Sequence, residues 1–187
     1  MKLAQNITDE IISQIQTAIG NDTHGDGIAV FDTDGRVVSL AISSSGEREY
    51  FGLNDTKGNR FYIRLNGSVT ESRITGNQKR GSCGVEDRTR IPMRLVAQHV
   101  CEDPRTLVEG YKRALYRVNL PLKYDGFSLQ YIRIIPVSMN PIPWDVFAAE
   151  TKKDPADLVS FMQIIAIDFV LEYQYNYADK CPIINIC

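Results

Sequence analysis

The sequence predicts an α+β fold: a mixed, mainly antiparallel sheet with an N-terminal helix and a second helix packed on it, ending in a long terminal strand. Three observations predict it. Ile7, Ile11, Ile15, Ala18 and Ile19 recur at helical spacing, with Ile12 widening the stripe. Two β-prone runs flank Asp32-Thr33-Asp34-Gly35, whose Asp-Gly pair accepts the positive φ of a tight hairpin turn. Finally, Ile165, Ile167, Phe169, Leu171, Tyr173, Tyr175 and Tyr177 alternate with mostly polar residues, the period of a half-buried strand.

The elements follow in order. The opening helix is expected over residues 7–19, with Asn6 or Thr8 as its cap, Asp9 and Glu10 at the positive end of its dipole, and Gly20-Asn21 as its stop. The runs 27–32 and 36–43 form the hairpin, and 60–65 adds a third strand by meander, bounded by Asn66-Gly67. Residues 68–89 are rich in Gly, Ser and Thr and poor in large apolar side chains, which predicts a long flexible loop. A strand over 90–100 puts Ile91, Met93, Leu95 and Ala97 on one face, and Pro92 assigns it to an edge or a bulge. Asp103-Pro104 reads as an N-cap with proline at the first helical position, opening a helix whose buried stripe is Leu107, Tyr111, Leu115 and Val118. A strand over 129–137 follows; the Pro-rich run 139–144 breaks it before a short helix or turn around 144–149. At about 3.3 Å per residue the terminal strand outruns the usual 17–20 Å or so, and its aromatic end is expected to pair with a neighbouring subunit.

Composition sets the bounds. The chain has 187 residues, 43% hydrophobic and 24% charged, which suits one domain over 1–187 with one core. A formal net charge of -2 argues against a general nucleic-acid or membrane-surface binder, so any basic surface is local. Cys83, Cys101, Cys181 and Cys187 match neither zinc-ligand spacing nor a disulfide framework and read as free thiols. The first residues carry no apolar signal segment and no apolar run reaches the roughly 20 residues of a membrane span, so folding in a reducing cytoplasm is expected.

The search for chemistry gives little. Asp26, Asp32 and Asp34 supply hard oxygen ligands, yet the calcium-loop spacing with its closing glutamate is missing and the hairpin turn accounts for Asp34-Gly35. His99 and Cys101 lie two apart on one strand, where parallel side chains make a buried strand end the better reading than a thiolate–imidazole pair. With His24 and His99 the only histidines, no metal site and no cofactor is predicted. Nucleophile-elbow, phosphate-loop and dinucleotide signatures are absent from the sequence. Asp168 and Glu172, on the polar face of the last strand, fit an acid–base pair less well than solvated surface charges. No catalytic residue is assigned, and an assembly role is expected in preference to an enzyme.

Two further segments point outward. Arg73, Lys79, Arg80, Arg88 and Arg90, set against Glu71, Glu86 and Asp87, give the 68–89 region and its flank a modest local positive excess, which reads either as a solvated loop or, repeated around a ring, as a channel lining for phosphates. Trp144, Phe147, Tyr175, Tyr177, Ile183, Ile184 and Ile186 place apolar and aromatic groups on irregular segments, and the C-terminal tail 178–187 is expected to dock.

The order of elements, carried by residues 7–19, by the strand 90–100 leading into Asp103-Pro104-Arg105-Thr106-Leu107, and by Ile165-Ala166-Ile167-Asp168-Phe169-Val170-Leu171-Glu172-Tyr173, resembles the tail terminator and neck (head-to-tail joining) proteins of tailed bacteriophages. The longer middle loop and the Pro-rich run 141–144 depart from that pattern. The resemblance implies a structural virion protein, assembled in the host cytoplasm, that forms a homo-oligomeric ring between capsid portal and tail. It implies neighbouring portal, neck or tail proteins as partners, non-specific contact with channel DNA, no membrane and no catalytic residues. The alternative is a small cytoplasmic enzyme or ligand-binding module of unknown chemistry.

Overall fold

A computed structural model of the chain describes residues 2–20, 23–31, 37–42, 48–52, 59–75, 85–100, 103–125, 127–154, 156 and 162–175. The fold is α+β. Helix α1, Lys2–Ile19, begins five residues before the expected start because Leu3 continues the four-residue spacing of Ile7, Ile11 and Ile15, and all four are buried. Asn6 and Thr8 are therefore inside the helix rather than at its cap, and the Thr8 hydroxyl donates to the Ala4 carbonyl at 2.8 Å. Asp9 and Glu10 accept from Gln5 and Gln14 one turn away instead of facing the dipole. Gly20 stops the helix as expected, with φ at +122° and its amide donating to Gln16.

Strands β1 (Thr23–Phe31), β2 (Val37–Ile42), β3 (Arg48–Gly52), β4 (Asn59–Leu65), β5 (Thr70–Thr75) and β6 (Val85–Val100) come next. Helix α2 (Pro104–Arg117), strands β7 (Lys123–Tyr124) and β8 (Phe127–Asn140), helix α3 (Pro143–Thr151) and strand β9 (Met162–Tyr175) complete the order. Among the described residues they form one nine-stranded sheet in the order β3-β2-β1-β4-β6-β9-β8-β7, with β5 also paired to β6. The β1–β2 hairpin is antiparallel as predicted, through Val30↔Val38 and Phe31↔Val37. The meander does not continue: β4 returns to the free side of β1 and runs parallel to it, because β2 already occupies the other side. Strand β3, not predicted, is the charged outer strand of the sheet, a composition suited to an edge.

The segment 68–89 is not simply a loop. Thr70–Thr75 pairs with 85–90 of β6, a strand built on threonine and ladder hydrogen bonds rather than on large apolar groups. Pro92 is likewise not at an edge, since β6 has β9 on one side and β4 and β5 on the other. It is tolerated where those two partners change over: β4 pairs with residues 93–98 and β5 with 85–90. There the Asn66 amide donates to the Pro92 carbonyl at 2.9 Å, and Gly67, at φ +142°, passes the proline ring.

Helix α2 starts as predicted, the Asp103 carboxylate accepting from the Arg105 amide at 2.9 Å and from Thr106. The main core joins α1, α2 and one face of the sheet: Phe61, Ile63, Ile91, Met93, Leu95 and Ala97 with Ile165, Ile167, Phe169 and Leu171. On the opposite face α3 buries Val146 and Phe147 against Tyr62, Val96, Met162, Ile164 and Ala166. Strand β9 is thus central and buried on both faces over residues 164–167 and again over 171–174, not half-buried throughout.

Candidate functional site

Alternation along the strands collects the charged groups on the sheet face that α3 partly covers. Register places Arg64, Arg94, Asp168 and Ser138 in one row across β4, β6, β9 and β8, and Arg90, Glu172 and Arg133 in another across β6, β9 and β8. Pro92, Val170 and Ile135 form the row between them.

The first row is tied to α3 by Glu150, which is fully buried. Arg64 grips it with two donors, Nε to Oε2 at 2.8 Å and Nη2 to Oε1 at 2.6 Å. Tyr62 donates to Oε2 at 3.1 Å and Arg94 Nη1 to Oε1 at 3.3 Å. Arg94 also makes a two-pronged pair with Asp168, at 2.6 and 3.0 Å, and Asn66 and Ser138 donate to the same carboxylate. Burial works to raise the Asp168 carboxyl, but the Arg94 hydrogen bonds and charge outweigh it and hold the group below its ordinary range. Burial, then the Glu150 charge, pushes the Tyr62 hydroxyl up.

The second row converges on Glu172, whose carboxylate is buried beneath its partners. Arg133 donates to Oε1 through Nε at 2.9 Å and Nη2 at 2.6 Å, Arg90 Nε lies 3.1 Å from Oε2, and the Tyr131 hydroxyl donates to Oε1 at 3.1 Å. Arg88 and Arg133 lie 6.0 and 5.7 Å from the centroid of the Tyr131 ring. For Glu172 too, burial favours protonation, and the Arg133 and Tyr131 hydrogen bonds with the Arg133 and Arg88 charges overcome it. Both carboxylates are therefore held ionised. A general acid at neutral pH needs the opposite shift.

The sequence-predicted residues fall unevenly on this geometry. Asp168 and Glu172 are not solvated face charges but the partners of arginines on neighbouring strands. Arg88 and Arg90 belong to β6, Arg73 stands opposite Asp87 in the β5–β6 ladder, and Lys79 and Arg80 lie outside the described residues. Trp144 is exposed, whereas Phe147 is buried in the chain's own core and is not available for the expected contact. Tyr175 packs on Phe127 and Tyr173 of its own chain. Tyr177, Ile183, Ile184, Ile186, Asp32, Asp34 and Cys101 lie outside the described residues, as does the tail 178–187. His99 Nε2 is 2.8 Å from the Tyr111 hydroxyl, and burial lowers the imidazole to about 4. Arg64, Arg94, Arg133, Tyr131 and Glu150 went unread in the sequence; the available signal was Arg88, Arg90 and Arg94 on one face of β6, with Arg90 and Arg94 opposite Glu172 and Asp168 of the last strand.

A cleft of about 210 Å³ opens on the other side of the sheet, between α2 and β8, lined by Leu115, Tyr116, Pro136, Val137, Met139 and Ile167. Among the described residues no three His, Cys, Asp or Glu side chains gather as metal ligands, and no helix is long and apolar enough to cross a membrane. Comparison with protein-family models and with curated proteins finds no match to the chain.

Proposed function

We propose that the chain is an assembly subunit that forms a ring in the neck or tail of a tailed bacteriophage, joining portal to tail around the DNA channel, as the resemblance of its element order implies. The observation that carries the assembly reading is the set of exposed apolar side chains around the end of β8: Tyr116, Val137 and Met139 line the cleft on the α2 face, and Ile142 and Trp144 follow at the start of α3. Val137 and Trp144 are 65% and 57% exposed, and Tyr116, Met139 and Ile142 are exposed with them. Large apolar groups exposed together, as Tyr116, Val137 and Met139 are, suit an association surface.

From Tyr131 to Asn140 no described strand pairs with the outer edge of β8. Pro136 and the bulge between Pro136 and Ser138 interrupt that edge, so side-chain packing rather than a continuous added strand drives contact. Strand β3 ends the sheet on the far side, which gives the subunit two unlike rims, the condition for head-to-tail closure into a ring. Carboxylates locked to arginines, with no proton to donate at neutral pH, favour this reading over an acid–base enzyme.

Native mass spectrometry with negative-stain microscopy across protein concentration tests the proposal. A closed ring with a DNA-sized hole supports it; Val137→Asp with Trp144→Ala should then release monomers. A strict monomer at every concentration overturns it.

A further inference from the structure

We infer that Arg88, Arg90 and Arg133, gathered over Glu172, form a binding strip for the phosphates of a nucleic-acid strand. Arg90 and Arg133 share one carboxylate and Arg88 adds its charge beside them, three guanidiniums around one carboxylate among the described residues of a chain whose formal net charge is -2. The layering sets which charge meets solvent. The Glu172 side chain is 2% exposed while those of Arg90 and Arg133 are 50% and 58% exposed, so the acid lies beneath and the cations lie on top. The buried carboxylate holds the cations together against their mutual repulsion and fixes their planes. Arg88 extends the group along β6, its guanidinium 6.0 Å from the centroid of the Tyr131 ring.

The shape of the strip selects the ligand. Arg88 and Arg90 are two residues apart on β6, a step of about 7 Å, and Arg133 lies two strands across, about 10 Å away. No described helix covers this part of the sheet, because α3 packs at the other end, against Met162, Ile164 and Ala166. An open strip of separated cations suits successive phosphates of a polymer better than one small anion in an enclosed pocket. Arginine suits the task, since its planar fork meets phosphate oxygens two at a time while another edge faces the buried acid. Tyr131 already has both Arg88 and Arg133 near its ring, so the strip reads phosphates and not bases, and binding is independent of sequence.

The strip is complete within one subunit, so it stands or falls apart from the ring. The test is fluorescence anisotropy of a labelled oligothymidylate of ~20 nucleotides with the full chain at salt from about 25 to about 200 mM. Three neutralised phosphates predict a slope of log K against log salt near about -2, since each contributes about -0.7 on a single strand. Arg88→Gln leaves the Arg90 and Arg133 pairs with Glu172 in place; it should weaken binding several-fold and reduce the slope by about 0.7. Arg113→Gln on α2 removes the same charge from an exposed helix position and should change affinity less than about twofold. Thermal unfolding of both variants checks that they remain folded. Absence of salt-dependent binding, equal effects of the two substitutions, or equally tight binding of a polyglutamate of matched charge overturns the inference, the last in favour of an acidic protein partner. A monomer that binds with the expected slope supports the strip and removes the ring.

Discussion

Strand β9 is buried in two different ways by alternate residues of the same stretch. On one face Ile165, Ile167, Phe169 and Leu171 pack beneath α1 and α2, held by exclusion of water and by dispersion. On the other, Asp168 and Glu172 are enclosed by arginines from the strands on either side. The apolar face tolerates small losses, because its neighbours close up partly around a missing methyl. The charged face does not: a buried ion whose partner is removed keeps its full desolvation penalty. Stability on one face is therefore graded, and on the other it is close to all or nothing.

Glu150→Ala should break the comparison most sharply. It leaves Arg64 and Arg94 facing an emptied site, and a loss of about 3–5 kcal/mol is expected in urea unfolding. His99 tests the apolar face by pH. Its folded value lies near 4, below the ordinary 6.5 or so, because burial penalises the charged ring. The neutral ring is the form the fold accepts, so stability is full above the ordinary value and is lost as pH falls toward about 4. After allowance for screening at a ring that is not wholly enclosed, the loss is about 2 kcal/mol. Wild type should lose this between neutral and acid buffer, and His99→Gln should lose less.

Smaller effects sharpen the contrast. Ile167→Val removes one methylene from the apolar face and should cost about 0.5–1.5 kcal/mol, unchanged by salt. At the end of α3, Lys152 holds a left-handed φ of 60°. Lys152→Gly should raise stability by up to about 1 kcal/mol, read as a higher melting temperature.

Much of the scaffold was legible because local chemistry determines it. The isoleucine stripe of α1, the Asp103-Pro104 start of α2, the break at Pro141 and Pro143, and the alternation of β9 each depend on residues close in sequence. What escaped depends on neighbours far along the chain. Alternation tells that Asp168 and Glu172 share a face; it does not tell that Arg94 and Arg133 stand across from them, which turns two solvated charges into paired ones, Glu172 buried and Asp168 partly so. The same gap hid the parallel pairing of β4 with β1 and the burial of Phe147 under α3, since no local pattern says which strand a segment will join or which helix will cover it.

The hold of Glu150 on the sheet reaches beyond stability. Helix α3 carries the exposed Trp144 at its first turn and the buried Glu150 in its last, so the ion pairs that anchor one end of the helix restrain the other. A large aromatic group on an immobilised support loses little conformational entropy when it meets a partner. In the ring proposed above, weakening the Glu150 anchor should therefore slow and loosen association through Trp144, so that a charge sealed inside the chain would help determine what happens at its rim.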